Sequence, residues 1–190
     1  MDNIINQIIK NRRATPPRFL AKTEISKEII VQLLENGNWA PTHKNTEPWR
    51  FKVYTGESKQ KLADEVYLLL TSKVVEGEPL NVQKIDKFKE ALERVPVAIA
   101  IIFERDAAGR IPEWEEIAAV SMAVQNMWLT ATSLGLGAFW STPEFLPLLN
   151  DIIEIQPDQK LLGFFYIGQI AMEYPSPGRG DIAKKVVWKE

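Results

Sequence analysis

Residues 38–51 read NWAPTHKNTEPWRF, from Asn38 to Phe51, and hold the chain's one histidine, His43, between Pro41 and Pro48. A helical pattern runs into this stretch: Ser26 is a good N-cap, and Ile29, Ile30, Leu33 and Leu34 form one face. Asn36-Gly37 marks its end. An alternating pattern leaves the stretch, because Trp49-Arg50-Phe51-Lys52-Val53-Tyr54 switches between apolar and polar as a half-buried strand does. Residues 38–51 are therefore a helix-to-strand connection crowded with short polar side chains.

The pattern extends outward in both directions. Ile4, Ile5, Ile8 and Ile9 predict an N-terminal amphipathic helix that stops before Pro16-Pro17, since a residue preceding proline avoids the α region. After Gly56, Ser58 is read as the cap of a third helix through Leu70, residues 71–80 as a surface loop, and Asn81–Leu92 as a short helix. Val95–Phe103 and Leu161–Gly168 are apolar on both faces, which predicts buried central strands. Between them a helix opens near Pro112 and closes at Leu134-Gly135, apolar nearly all round. Leu136–Ser141 is a short segment, followed by a helix or turn from Pro143. Helix and strand are mixed in one domain without an internal repeat, giving an α+β or mixed α/β class.

Composition narrows the function. The chain has 190 residues, 45% hydrophobic and 25% charged, with 23 basic and 25 acidic side chains for a formal charge of −2. That balance lacks the positive field of a nucleic-acid binder. Cysteine is absent, which removes disulfides, thiol nucleophiles and cysteine–zinc sites. A lone His43 cannot assemble a metal centre, and no apolar run is long enough to span a bilayer. The N-terminus lacks the pattern of a signal peptide, so a cytoplasmic location is expected. There is no nucleophile elbow and no phosphate-binding P-loop. Gly135-Leu136-Gly137 follows a helix rather than a strand and has Trp140 where a dinucleotide fingerprint needs its third glycine.

Four clusters remain that suit a flat, anionic, hydrogen-bonding ligand: Arg12-Arg13-Ala14-Thr15, Thr42-His43-Lys44-Asn45, Trp140-Ser141-Thr142, and Arg179. Arginine forks match phosphate, hydroxyl and amide groups match ring heteroatoms, and an indole offers a face to a ring. Each has a plainer alternative. Arg12 and Arg13 would complement a helix dipole, Thr42 and Asn45 would form turns, Trp140 would anchor a core, and Arg179 would be solvated.

Taken together and in order, the clusters resemble the nitroreductase family of FMN-dependent oxidoreductases, in its small single-domain branch. That family opens with a helix ending in R-R-S, similar to Arg12-Arg13-Ala14-Thr15. It continues through A-P-S-x-x-N-x-Q-P-W-x-F, resembled by Ala40–Phe51. It then shows L-G-L-G-x-x-W, as in Leu134–Trp140, and a basic tail residue before a V-V-x-W-like end, as in Arg179 and Val186-Val187-Trp188. Ala14 replaces the serine and Glu47 the glutamine.

The resemblance implies one FMN-binding domain over residues 1–190, an α+β fold with a central, mostly antiparallel mixed sheet flanked by helices, and an intertwined homodimer. The cofactor-binding set it implies is Arg12, Arg13, Ala14, Thr15, Trp39, Thr42, His43, Asn45, Trp140, Ser141, Thr142 and Arg179, with no metal and no catalytic side chain. The arginines would hold a flavin that the Thr42–Asn45 loop reaches from the other subunit. The implied reaction is ping-pong: NAD(P)H reduces FMN, which then reduces a small electron-poor acceptor such as a nitroaromatic or quinone. Residues 71–80 and the segment before Pro112 would shape acceptor choice. The rival readings are a dehydrogenase or dehalogenase of the same fold, and a non-enzymatic FMN-binding redox sensor.

Overall fold

The computed structural model describes residues 3–175 and 178–189; Pro177, where the sequence places a turn in the tail, lies outside them. The two doubly apolar runs become the central strands, β2 (Val97–Glu104) and β4 (Gln159–Gln169), and β2 is buried along nearly its whole length. β1 (Trp49–Thr55) pairs with β2, and β3 (Leu136–Ser141) pairs with β4. The order is β1-β2-β4-β3 with every pairing antiparallel. Among the described residues the one parallel contact is an isolated bridge between Ala14 and Ala138.

Helices cover both faces. On one side pack α3 (Gly56–Val75), α4 (Val82–Arg94) and α6 (Asn150–Ile153), with Leu62, Val66, Leu70, Phe88 and Leu92 in the core. On the other lie α2 (Lys27–Asn38) and α5 (Glu113–Ser133), with Leu33, Val120, Val124 and Met127 buried. At Gly37 α2 lies close against α5: a Cβ there would stand 2.9 Å from Met127 Cγ. The N-terminal α1 (Ile4–Asn11), capped by Asn3, buries none of its residues.

Two boundaries differ from the sequence reading. α3 continues to Val75, so only residues 76–81 form the loop before α4, and Thr55 is its N-cap with Ser58 in the third helical position. Residues 136–141 form an edge strand rather than a free segment. The backbone of Ser141 therefore belongs to the sheet.

β4 carries one extra residue at Leu162, where the register with β2 shifts between Ile101 and Ile102. Gly163 follows with φ of 134°, and a Cβ there would meet the Ser141 carbonyl at 2.4 Å and Trp140 Nε1 at 2.6 Å. The bulge lets Trp140 Nε1 donate to the Leu162 carbonyl at 3.1 Å, which fixes the indole on the sheet. Gly163→Ala combines backbone strain with overpacking, each about 1–3 kcal/mol. The expected loss is roughly 2–4 kcal/mol, read as a lower urea midpoint at unchanged slope. A shift under about 0.5 kcal/mol would show that the bulge does not hold Trp140.

Candidate functional site

The Arg12–Thr15 segment leaves α1 and runs beside the open edge of β3, where the Thr15 N–H donates to the Ala138 carbonyl at 2.8 Å. Ala14 contributes only backbone there, and Thr15 is buried. Gly137 permits the approach, since a Cβ on it would lie 2.6 Å from Leu20 and 3.1 Å from Thr15. In an antiparallel edge strand alternate residues turn their N–H and C=O outward. Ala138 faces this segment, so Trp140, two residues on, presents its backbone to the same open edge, while Ser141 faces β4. Thus β3 brings the Arg12–Thr15 and Trp140–Thr142 clusters onto one edge. The Tyr166 phenol lies buried in the same sheet near Ser141, and burial raises its pKa far above the ordinary value.

The arginines are held by α5. Trp128 Nε1 donates to the Arg13 carbonyl at 2.9 Å, and the Arg12 guanidinium lies 4.8 Å from the Trp128 ring centroid. Arg13 Nη1 donates to the Lys10 and Arg12 carbonyls, so this residue does complement the helix end. Its Nε, however, is buried with no partner. Arg12, Arg13 and Arg179 line one cleft of about 450 Å³ with Gln125. Burial, then the charges of Arg179 and Arg13, lower the pKa of Arg12, which places three like charges close together. Like charges placed so closely repel one another, and a bound anion would relieve that repulsion.

The loop of the opening stretch lies elsewhere. His43 Nδ1 and Glu115 Oε2 are 2.7 Å apart, and Lys44 Nζ donates to the Arg110 carbonyl at 3.1 Å, both near the N-terminal end of α5. Thr42 Oγ1 accepts from the Glu47 N–H at 3.1 Å and contacts Thr46, so Thr42 does serve as a turn-former. Lys44, Asn45 and Glu47 all have positive φ, a conformation that only asparagine among them tolerates readily. Strain of this kind gathers where a loop must hold one shape for a ligand. His43 and Asn45 are exposed, and Trp39 is 85% exposed beside a cleft lined by Asn38, Trp49 and Phe51. Glu115 and Trp128 are thirteen residues apart, about 20 Å along the helix at 1.5 Å per residue. One chain thus places its arginine cluster and its Thr42–Asn45 loop at opposite ends of α5.

The support beneath this loop was not visible in sequence. Arg105 pairs with the fully buried Glu116 and donates to the Ile111 carbonyl at 2.7 Å. Arg110 grips Asp106 through Nε and Nη2, at 2.9 and 2.8 Å, and its side-chain and backbone donors hold the Asp106 carboxyl down to about 2. A carboxylate with a lowered folded pKa contributes its stability above the unfolded value near ~4 and loses it as pH falls toward the folded value. Between about pH 4 and 2 the protein should therefore lose stability faster than Asp106→Asn, as read by thermal melts across that range. Parallel curves would remove Asp106 from the account.

Among the described residues no three histidine, cysteine or carboxylate side chains gather to hold a metal ion, and no helix is long and apolar enough to cross a membrane. The sequence matches the family model for the nitroreductase family over residues 9–169. A Bacillus subtilis (strain 168) protein named as an NAD(P)H nitroreductase is 28% identical over 145 residues, covering 76% of this chain and 72% of its own. The solved structure of a nitroreductase-like family protein from Bacillus cereus superposes with a TM-score of 0.83 at 27% identity, covering 99% of this chain and 97% of that one. A nitroreductase-fold chain from Desulfovibrio desulfuricans, solved in complex with FMN, gives a TM-score of 0.77 at 22% identity, covering 100% and 99%.

Proposed function

The chain belongs to the nitroreductase family, and we propose that it is an FMN-dependent NAD(P)H oxidoreductase that reduces small electron-poor acceptors, nitroaromatics or quinones, as a cytoplasmic homodimer. One observation carries this reading: Arg12, Arg13 and Arg179, from the two ends of the chain, converge on one cleft. FMN is the anion whose shape suits the surroundings, with an orphaned buried Arg13 Nε for its phosphate and an open strand edge at Trp140 beside it. Similarity to a relative named as an NAD(P)H nitroreductase, and to a fold solved with FMN, supports the same cofactors.

When bound, FMN would supply the redox chemistry, accepting hydride from the nicotinamide and delivering electrons to the acceptor. The protein's part is to bind and orient. Arg12, Arg13 and Arg179 neutralise the phosphate with charge-assisted hydrogen bonds. Thr15 and Trp140 to Thr142 border the space beside the β3 edge. The sequence offers no acid–base pair for proton transfer at this edge, and the reaction as proposed asks for none.

What one chain leaves open supports the homodimer. Ile4, Ile5 and Ile9 of α1, Trp39, and Val187 and Trp188 of the tail are exposed, more large apolar surface than an isolated chain commonly shows. The loop of Thr42, His43 and Asn45 lies an α5 length from its own arginines. A second copy, packed through these surfaces, brings that loop to the partner's flavin.

An absorption spectrum of purified protein tests the reading, before and after anaerobic NADPH. Flavin bands that bleach on NADPH, and recover on adding a quinone, are expected. Protein without bound flavin would overturn the reading. Flavin that no pyridine nucleotide reduces would leave a binding module in place of an enzyme.

A further inference from the structure

A second cationic cleft lies on the other side of the sheet from α5, between the turn at Pro17–Phe19 and α4. Its volume is about 480 Å³, and Arg18, Lys22, Lys87 and Arg94 line it together with Glu90 and Glu93. Four cations stand against two carboxylates. Of the two carboxylates, Glu93 is drawn toward Lys89, 3.7 Å away and outside the cleft. Among the described residues Lys22, Lys87 and Arg94 close no ion pair, and Arg18 rests over the Phe19 ring at 4.9 Å.

The walls are rigid. The Phe19 and Leu20 N–H groups donate to the Pro16 and Pro17 carbonyls at 2.9 and 3.0 Å, and Ala21 is tied to the Gln169 carbonyl at 2.8 Å. Leu20 is fully buried. On α4, Lys87 and Arg94 are seven residues apart and share a face, which sets them about 10 Å from each other. Ala91 between them leaves room. Below, Lys59 is buried with Nζ on the Leu92 carbonyl at 2.5 Å, and burial and then the Lys22 charge hold its pKa below the ordinary lysine value. Lys59 thus adds positive charge beneath the cleft, with Glu93 as its carboxylate neighbour. A plain helix-dipole role accounts for Arg94 alone, in the last turn, but not for Lys87 or Lys22.

We propose that this cleft binds a phosphate group, with Lys22 and Lys87 as point charges and Arg18 and Arg94 as forks. Two sources share that chemistry: the 2′-phosphate of NADPH, which rests on the function proposed above, and a free phosphorylated small molecule, which does not.

The test uses flavin-loaded full-length protein and the Lys22→Gln/Lys87→Gln double variant, titrated calorimetrically with adenosine 2′,5′-bisphosphate and with inorganic pyrophosphate. Both probes are expected to bind the parent protein, with affinity that falls with salt and drops tenfold or more in the variant. A KM for NADPH raised about tenfold, with kcat, the KM for NADH and flavin content unchanged, assigns the cleft to NADPH. Probe binding lost in the variant while both nucleotides keep their KM assigns it to a free anion. If neither probe binds the parent protein, or both bind the variant equally well, the proposal is overturned. Protein that holds no flavin but still loses pyrophosphate binding on substitution would refute the oxidoreductase reading and leave this site standing.

Discussion

Arg12→Ala combined with Arg179→Ala is expected to yield protein that folds normally and loses its FMN on dialysis. Each charge-assisted contact to a phosphate is worth roughly 1.5–3 kcal/mol. Two removed together weaken binding by about a hundredfold or more, with the lower figure favoured because Arg179 is exposed. The side chains are also mutually repulsive, since the Arg179 charge lowers the pKa of Arg12. Removing one without a ligand present should cost little stability. That contrast is diagnostic: a structural role would lower the melting temperature of flavin-free protein, whereas a phosphate role would lower only that of the loaded form. Arg12→Lys should retain part of the affinity, keeping charge but losing the fork and the guanidinium over Trp128. Flavin kept through dialysis by the double alanine variant would sink the assignment.

The sequence showed the sheet's centre clearly because β2 and β4 are buried on both faces, and an apolar run needs no partner to be recognised. The long α5 was legible for the same reason. Long-range geometry was not. The bulge at Leu162 exists only in register with Ile101 and Ile102, some sixty residues earlier. α3 outran its expected end because Gly77 and Pro79, which mark the loop in sequence, act only past Val75. Thr71 and Ser72 turn their hydroxyls back to the Tyr67 and Leu69 carbonyls at 2.7 and 2.8 Å and stay helical. At the site, residue types pointed to Arg12, Arg13 and Arg179, but not to the orphaned Nε or the ring of Trp128 beneath them. The pairing of His43 with Glu115 joins residues seventy-two positions apart, and no local pattern announces it. Positive φ at Asn45 was foreseeable from its side chain; at Lys44 and Glu47 it follows from the shape the whole loop adopts.

Mixing two inactive variants should restore activity if each flavin site is built from two chains. One variant is Arg12→Ala, damaged in the phosphate cluster; the other is a triple alanine at Thr42, His43 and Asn45, damaged in the loop. These groups lie toward opposite ends of α5 in one chain, about 20 Å apart along the helix, and the proposed dimer draws them from different copies. Unfolded together and refolded, the chains pair at random, so half the dimers are mixed. Each mixed dimer has one site with both lesions and one with neither, since a two-fold dimer exchanges equivalent surfaces. About a quarter of the wild-type number of sites should then be intact, against close to none in either parent. Co-refolding also controls for exchange: parents mixed after refolding should stay inactive unless the dimer dissociates. Permanent interfaces run to about 2,000 Å² or more, and the exposed α1 isoleucines, Trp39 and Trp188 are the surface available to build one. Sites contained within single chains predict no recovery at any mixing ratio. Recovery near a quarter, with flavin content rising in step, places the Thr42–Asn45 loop on the partner's cofactor.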